Sequence, residues 1–162
     1  MKKTVAVIIA VFLMAFLPSC KKANYDKSVS CAEIGELIEI TLSDGQEYIP
    51  HDATFRALYF DESEEYDDVF SAYSVNTVDI SEFGIFHAPN ERAAGELYDE
   101  VRDYVSDMQE EQRAFIASYA PQELSKLDGA KVKKFGNYVV YTVLPSDTSN
   151  AVMDEVERYL SK

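Results

Sequence analysis

Ala130-Lys131-Val132-Lys133-Lys134-Phe135, then Gly136-Asn137, then Tyr138-Val139-Val140-Tyr141-Thr142-Val143-Leu144, carries the sharpest structural signal in the chain. Two runs rich in apolar, β-branched and aromatic residues flank a two-residue Gly-Asn connection, which suits a tight hairpin with the twist that strands prefer. Upstream, Val69 to Val75 alternates as a strand, with Val69, Tyr73 and Val75 on one face and Phe70 and Ala72 on the other. Phe83 to His87 reads as a second strand, ended by Pro89. Helical periodicity fills the stretches around these pairs. Ser30 and Glu33 have capping-box spacing ahead of Ile34, Leu37, Ile38 and Leu42 on one face, and Asp44-Gly45 stops that helix. Asn90 caps the longest helix, which runs to about Tyr119 on an apolar stripe of Leu97, Val101, Val105, Met108, Phe115 and Tyr119. Pro121 breaks it and opens a short turn or helical piece to Leu127. A last helix starts near Ser146 or Asp147 and puts Val152, Val156, Tyr159 and Leu160 on one side.

The element order is therefore helix, strand, strand, helix, strand, strand, helix. It predicts an α+β domain in which a four-stranded antiparallel sheet carries its helices on one face. A weak internal echo between Leu97 to Val105 and Val152 to Leu160 accompanies that order, although amphipathic helices commonly produce such echoes by chance. Gln46 to Asp68 is the least legible part, with Thr54 placed to cap a short turn through Phe55, Leu58 and Tyr59.

The N-terminus reads as an address. Lys2 and Lys3 precede an unbroken apolar run from Val5 to Leu17, followed by Pro18, Ser19 and Cys20. At helical rise the run reaches about 20 Å, short of the roughly 30 Å of hydrocarbon in a bilayer, so it is expected to be a cleavable signal and not a span. A small residue before cysteine, with leucine three positions earlier, matches a bacterial lipoprotein box. Cys20 is the expected lipid-attachment residue. The predicted organisation is a removed signal peptide over 1–19, a lipidated tether over 20–29 and one globular domain over 30–162. The alternative is an ordinary secreted chain cut near Ala23.

The whole chain carries 15 basic and 29 acidic residues, a net charge of -14. Removing Lys2 and Lys3 leaves 13 basic against 29 acidic, or -16. Nucleic acid is a poor partner for such a surface. Cys31 would be left without a partner thiol and reads as a buried, inert side chain. His51 and His87 lack metal-ligand spacing, and no metal or cofactor is expected. The run Asp61, Glu62, Glu64, Glu65, Asp67 and Asp68 lacks the turn glycine and spacing of an EF-hand, which makes a solvated loop the simpler reading over a weak divalent-cation site.

Further residues carry a family resemblance. Ile80-Ser81-Glu82-Phe83-Gly84-Ile85-Phe86 before a long acidic helix, Tyr119-Ala120-Pro121-Gln122-Glu123-Leu124, Lys126-Leu127 and Gly136-Asn137-Tyr138-Val139 resemble bacterial, clostridial-type lipoproteins carrying the domain of unknown function DUF4358. The resemblance covers roughly Ser30 to Leu160. It implies an anchored extracytoplasmic domain and supplies no activity and no catalytic residue.

The expected function is a non-catalytic binding or accessory module on the outer face of the cytoplasmic membrane, or in the outer membrane of a cell that has one. Its partners would be the membrane, through the lipid on Cys20, and an envelope protein or small ligand. Tyr66, Tyr73 and Tyr141 are candidate contact residues, with a core role equally open for the last two. The alternative is an envelope-polymer hydrolase using paired carboxylates, for which no pair such as Glu82 with Asp79 stands out by spacing.

Overall fold

The computed structural model describes residues 24–43, 45–54, 60 and 66–161. The first four residues of the tether (20–23, Cys20 among them), Asp44, the turn through Phe55, Leu58 and Tyr59, and the acids from Asp61 to Glu65 lie outside the described residues.

Among the described residues five strands make one antiparallel sheet: β1 (Tyr48–Pro50), β2 (Asp68–Ser74), β3 (Glu82–His87), β4 (Lys131–Phe135) and β5 (Tyr138–Val143), in the order β1-β2-β3-β5-β4. The expected hairpin is present, with Phe135 opposite Tyr138 across Gly136-Asn137. Gly136 takes a φ of 62° and Asn137 stays at negative φ, the glycine-first arrangement of a II′ connection. The first strand pair is also present, Phe70 facing Ile85 and Val69 facing Phe86.

The sheet has one strand more than the four expected. β1 pairs Tyr48 with Ser74 and Ile49 with Tyr73, and Pro50 is tolerated because the strand is an edge. Three residues ending in proline give no alternation to read.

The helices also cover both faces of the sheet, not one. Among the described residues they are α1 (Cys31–Leu42), α2 (Ala93–Glu111), α3 (Arg113–Tyr119), α4 (Leu124–Gly129) and α5 (Ser146–Leu160), with a 3-10 turn at Pro121–Glu123. Phe83 and Ile85 of β3 and Tyr138 and Val140 of β5 share a core with Ile34 and Ile38 of α1 and with Val152, Val156 and Leu160 of α5. Phe86, Val139, Tyr141 and Val143 form a second core under Leu97, Val101 and Val105 of α2. All six residues of β5 are buried, so neither face of the central strands could be left to water. The two helices of the internal echo, α2 and α5, thus lie on opposite sides.

Local signals behave as their chemistry requires. Ser30 and Glu33 close a reciprocal capping box on α1, and the helix stops just before the expected Asp44-Gly45, with Ser43 as the left-handed C-cap (φ 44°) and Gly45 also at positive φ (71°). Asn90 Oδ1 accepts from the Arg92 and Ala93 amides at 3.0 Å, and its carbonyl accepts from Ala94. Tyr25 packs edge-on against Phe135 and the Asp26 amide donates to Leu160 O at 2.7 Å. The second half of the expected tether is therefore docked beside the hairpin turn and the end of α5.

The long helix is two helices. α2 ends at Gln112, and α3 leaves it while Arg113 pairs with Asp128 at 2.6 Å and Gln109 donates to Leu127 O at 2.6 Å. Past the break the apolar stripe changes owner: Ile116 is 3% exposed, whereas Phe115 and Tyr119 are 65% and 77% exposed and stack on one another. Phe115→Ser is expected to change unfolding free energy by no more than about 0.5 kcal/mol. Ile116→Ala is expected to lower it by about 2–5 kcal/mol. Urea denaturation of the two variants checks the break, because an uninterrupted stripe would reverse their order.

Candidate functional site

An open cleft of about 1240 Å³ lies between the β1–β2 edge of the sheet and the C-terminal half of α2. Ile49, His51 and Tyr73 form one wall; Asp79 to Glu82, leading into β3, form the base. The other wall is a stripe of α2: Glu100, Asp103, Tyr104, Asp107, Met108 and Glu111, at the three- and four-residue spacings that put side chains on one helix face. This stripe runs beside the apolar one that holds α2 on the sheet.

Glu82 is the inner group of the cleft and is 9% exposed. Its Oε1 accepts two phenols, Tyr104 from α2 at 2.8 Å and Tyr141 from β5 at 2.5 Å, whose rings meet edge to face. Gly84 makes this possible. It is the cross-strand partner of Tyr141, and a Cβ there would lie 2.2 Å from Tyr141 Cε1. With no side chain at 84, the Tyr141 ring lies across β3 and reaches Glu82 one position along the same face. Burial pushes the Glu82 carboxyl up, and the Tyr141 and Tyr104 hydrogen bonds only partly oppose that shift. The Tyr141 phenol is itself pushed well up by burial and then by Glu82, which keeps it a donor.

Asp79 is the opposite case. Burial acts to raise it, yet the Lys126 ammonium and the Ser81 amide, each 2.7 Å from Oδ1, hold it below its usual range. Lys126 also pairs with Glu123 at 2.8 Å, and Glu123 accepts from the Ile80 amide at 3.3 Å. For Lys126, burial works against the charge and the two carboxylates outweigh it, so its pKa is raised. This part-buried triad ties the segment before β3 to the turn between α3 and α4.

The remaining expectations separate. Tyr73 is 40% exposed on the cleft wall; Tyr66 packs against Phe86; Tyr141 is fully buried and offers no contact surface. Cys31 is fully buried, its thiol pushed up by burial and by Asp68, whose carboxylate accepts the Cys31 amide at 2.7 Å. Asp67 meets His87 Nδ1 at 2.5 Å. The last two acids of the 61–68 run therefore serve the domain itself. His51 stacks on Tyr73 and lies 3.1 Å from Ser71 Oγ. Among the described residues no three His, Cys, Asp or Glu side chains gather as a metal site would need, and no helix is long and apolar enough to cross a membrane.

Two blocks that carry the family resemblance, Ile80 to Phe86 and Tyr119 to Leu127, meet here through the Ile80 amide and Glu123. The sequence model of a family described as a domain of unknown function, DUF4358, matches residues 28–144. The chain belongs to this family. No curated protein and no solved structure matches it. The DUF4358 region runs from just before α1 to the end of β5 and contains every cleft group named above; α5, inside the expected extent to Leu160, lies beyond the match.

Two outcomes follow from the opposed shifts. A carboxyl raised in the folded state stabilises the fold below its unfolded value and loses that contribution as pH rises through the folded one. Glu82→Gln keeps an oxygen for both phenols, so its Tm is expected to match the wild type near about pH 4 and to exceed it increasingly toward about pH 8. For the triad the window is reversed at its acid edge: Asp79, depressed, contributes above the ordinary carboxylate range, and Lys126, raised, contributes up to the ordinary lysine range. Lys126→Met strands two part-buried carboxylates and is expected to cost about 3–5 kcal/mol at neutral pH. Denaturant titrations are expected to show a smaller loss as pH falls below the ordinary carboxylate range, where Asp79 loses its charge.

Proposed function

We propose that this DUF4358 protein is a lipid-anchored extracytoplasmic binding module, held to the membrane through Cys20, whose ligand enters the cleft over Glu82. The carrying observation is the cleft: a buried carboxyl with two ordered phenols at its base and exposed apolar and acidic groups on its walls. Concave sites with a few convergent polar groups are where small ligands bind. The arrangement of the domain supports the anchored reading. Tyr25 and Asp26 dock at the hairpin-turn end of the sheet, whereas Glu82 stands five residues along β3 from His87, which faces Tyr138 at that turn. At strand rise this is about 17 Å. A chain tethered at Cys20 would hold its turn end toward the lipid and open the cleft at the far end.

A second reading, hydrolysis of an envelope polymer, draws on Glu82 and Asp79 lining one cleft with opposite shifts, the pattern of an acid beside an ionised carboxylate. The Lys126 and Ser81 contacts on Asp79 favour binding over catalysis, because they occupy its Oδ1.

Mass spectrometry of the native membrane fraction is expected to find diacylglycerol on an N-terminal Cys20, and Cys20→Ser is expected to leave that fraction. An unmodified Cys20 in the membrane fraction overturns the anchored reading. A small-molecule extract of the envelope is expected to raise the Tm of the lipidated chain, and Tyr73→Arg to erase the shift. Release of polymer fragments by the wild type and not by Glu82→Gln would replace binding with hydrolysis.

A further inference from the structure

Resting on the cleft reading above, we propose that the cleft takes a linear aliphatic amine with two or more ammonium groups, one seated at Glu82 and the others at Asp107 and Glu111.

Glu82 supplies the inner contact. Both phenols donate to its Oε1, and among the described residues Oε2 receives no hydrogen bond, although the side chain is nine-tenths buried and lines the cleft. Oε2 is not closed off from the cleft, and a carboxylate oxygen that reaches the cleft without a donor is a site for one. An ammonium group brings three donors and the opposite charge, with the compact shape that a buried inner position admits.

The wall supplies the outer contacts. Asp107 and Glu111 lie one turn apart on α2, and neither has a hydrogen bond or ion pair among the described residues. Like charges at this spacing repel, and both stand in the second half of a helix whose C-terminal end is already negative and whose last turn holds no basic residue. The stripe is thus a local conflict that bound positive charge relieves. Side chains one turn apart have Cβ atoms about 5–6 Å apart, a spacing that ammonium groups separated by three or four methylenes span. Ile49, Tyr73 and Met108 offer apolar surface to those methylenes in the same cleft.

A single divalent ion fits less well. It needs several oxygens gathered within one coordination shell, and the acids here are spread along the wall with no three grouped for a metal. Anions meet a chain of net charge -14.

The test is isothermal titration of the full lipidated chain in detergent with spermidine, with 1,8-octanediol and calcium as controls. Saturable spermidine binding is expected, with no heat from the diol and no competition by calcium at equal concentration. Glu82→Gln is expected to weaken it about tenfold or more. The exposed double variant Asp107→Asn with Glu111→Gln, which leaves the core untouched, is expected to weaken it about threefold or more. Non-saturating heats, equal competition by calcium, or unchanged affinity in the double variant would overturn the assignment. If spermidine fails while the envelope extract still gives a shift that depends on Tyr73, the ligand class falls and the cleft reading stands; loss of both removes both.

Discussion

No side chain of β5 reaches water. Tyr138, Val140 and Thr142 face one way, Val139, Tyr141 and Val143 the other, and both sets are buried. A strand in that position needs cover on both faces and a paired neighbour on both edges. β3 and β4 supply the edges, α1 and α5 cover one face, and α2 covers the other. The three-layer build follows from this requirement. It also explains why the two hairpins join through β3 and β5: these strands, buried along almost their whole length, stand at the centre, leaving the lysine-bearing β4 and the short β1 at the edges, where charge and proline discourage further pairing.

Signals confined to a few neighbouring residues were legible in the sequence. The Gly136-Asn137 turn, the Ser30–Glu33 box and the Pro121 break each depend on contacts within about one turn of chain, and each is present. Quantities that depend on distant partners were not. The run from Tyr138 to Val143 shows strand propensity residue by residue, whereas its need for two covered faces lies in the continuity of the apolar run, which a one-faced sheet does not satisfy. Phe115 and Tyr119 keep the arithmetic of the α2 stripe, but a helix that bends at Gln112 rotates them into solvent. β1 has too few residues to show any period.

The cleft was illegible for a related reason. In a chain with 29 acidic residues, Glu82 looks like any other acid. What distinguishes it is supplied from 22 residues away by Tyr104 and 59 residues away by Tyr141. A signal was nonetheless present in Gly84. A glycine in the middle of an apolar strand weakens that strand and marks a close approach by another group, and the group here is the Tyr141 ring. The second signal is Lys126, a basic residue in an acidic chain, which holds Asp79 and Glu123 beside the same cleft.

Glu82 sets two demands of the fold against each other. Its face of β3 belongs to a core of Phe86, Val139, Tyr141 and Val143, where an apolar side chain would pack without a desolvation penalty. The chain instead places a carboxyl there, clears room with a glycine that weakens the strand, and directs two phenols at a single oxygen. Gly84 and the Tyr141 ring also serve the packing of that core, but the carboxyl does not, and together they hold one of its oxygens at the base of the cleft. This local departure from the most stable arrangement, maintained by several residues acting on one atom, is the observation on which the proposed binding role rests. In the proposed binding mode, positive charge entering the cleft would meet the acid stripe of α2 before it reached Glu82 at the base, and its own charge would offset the burial that disfavours the Glu82 carboxylate.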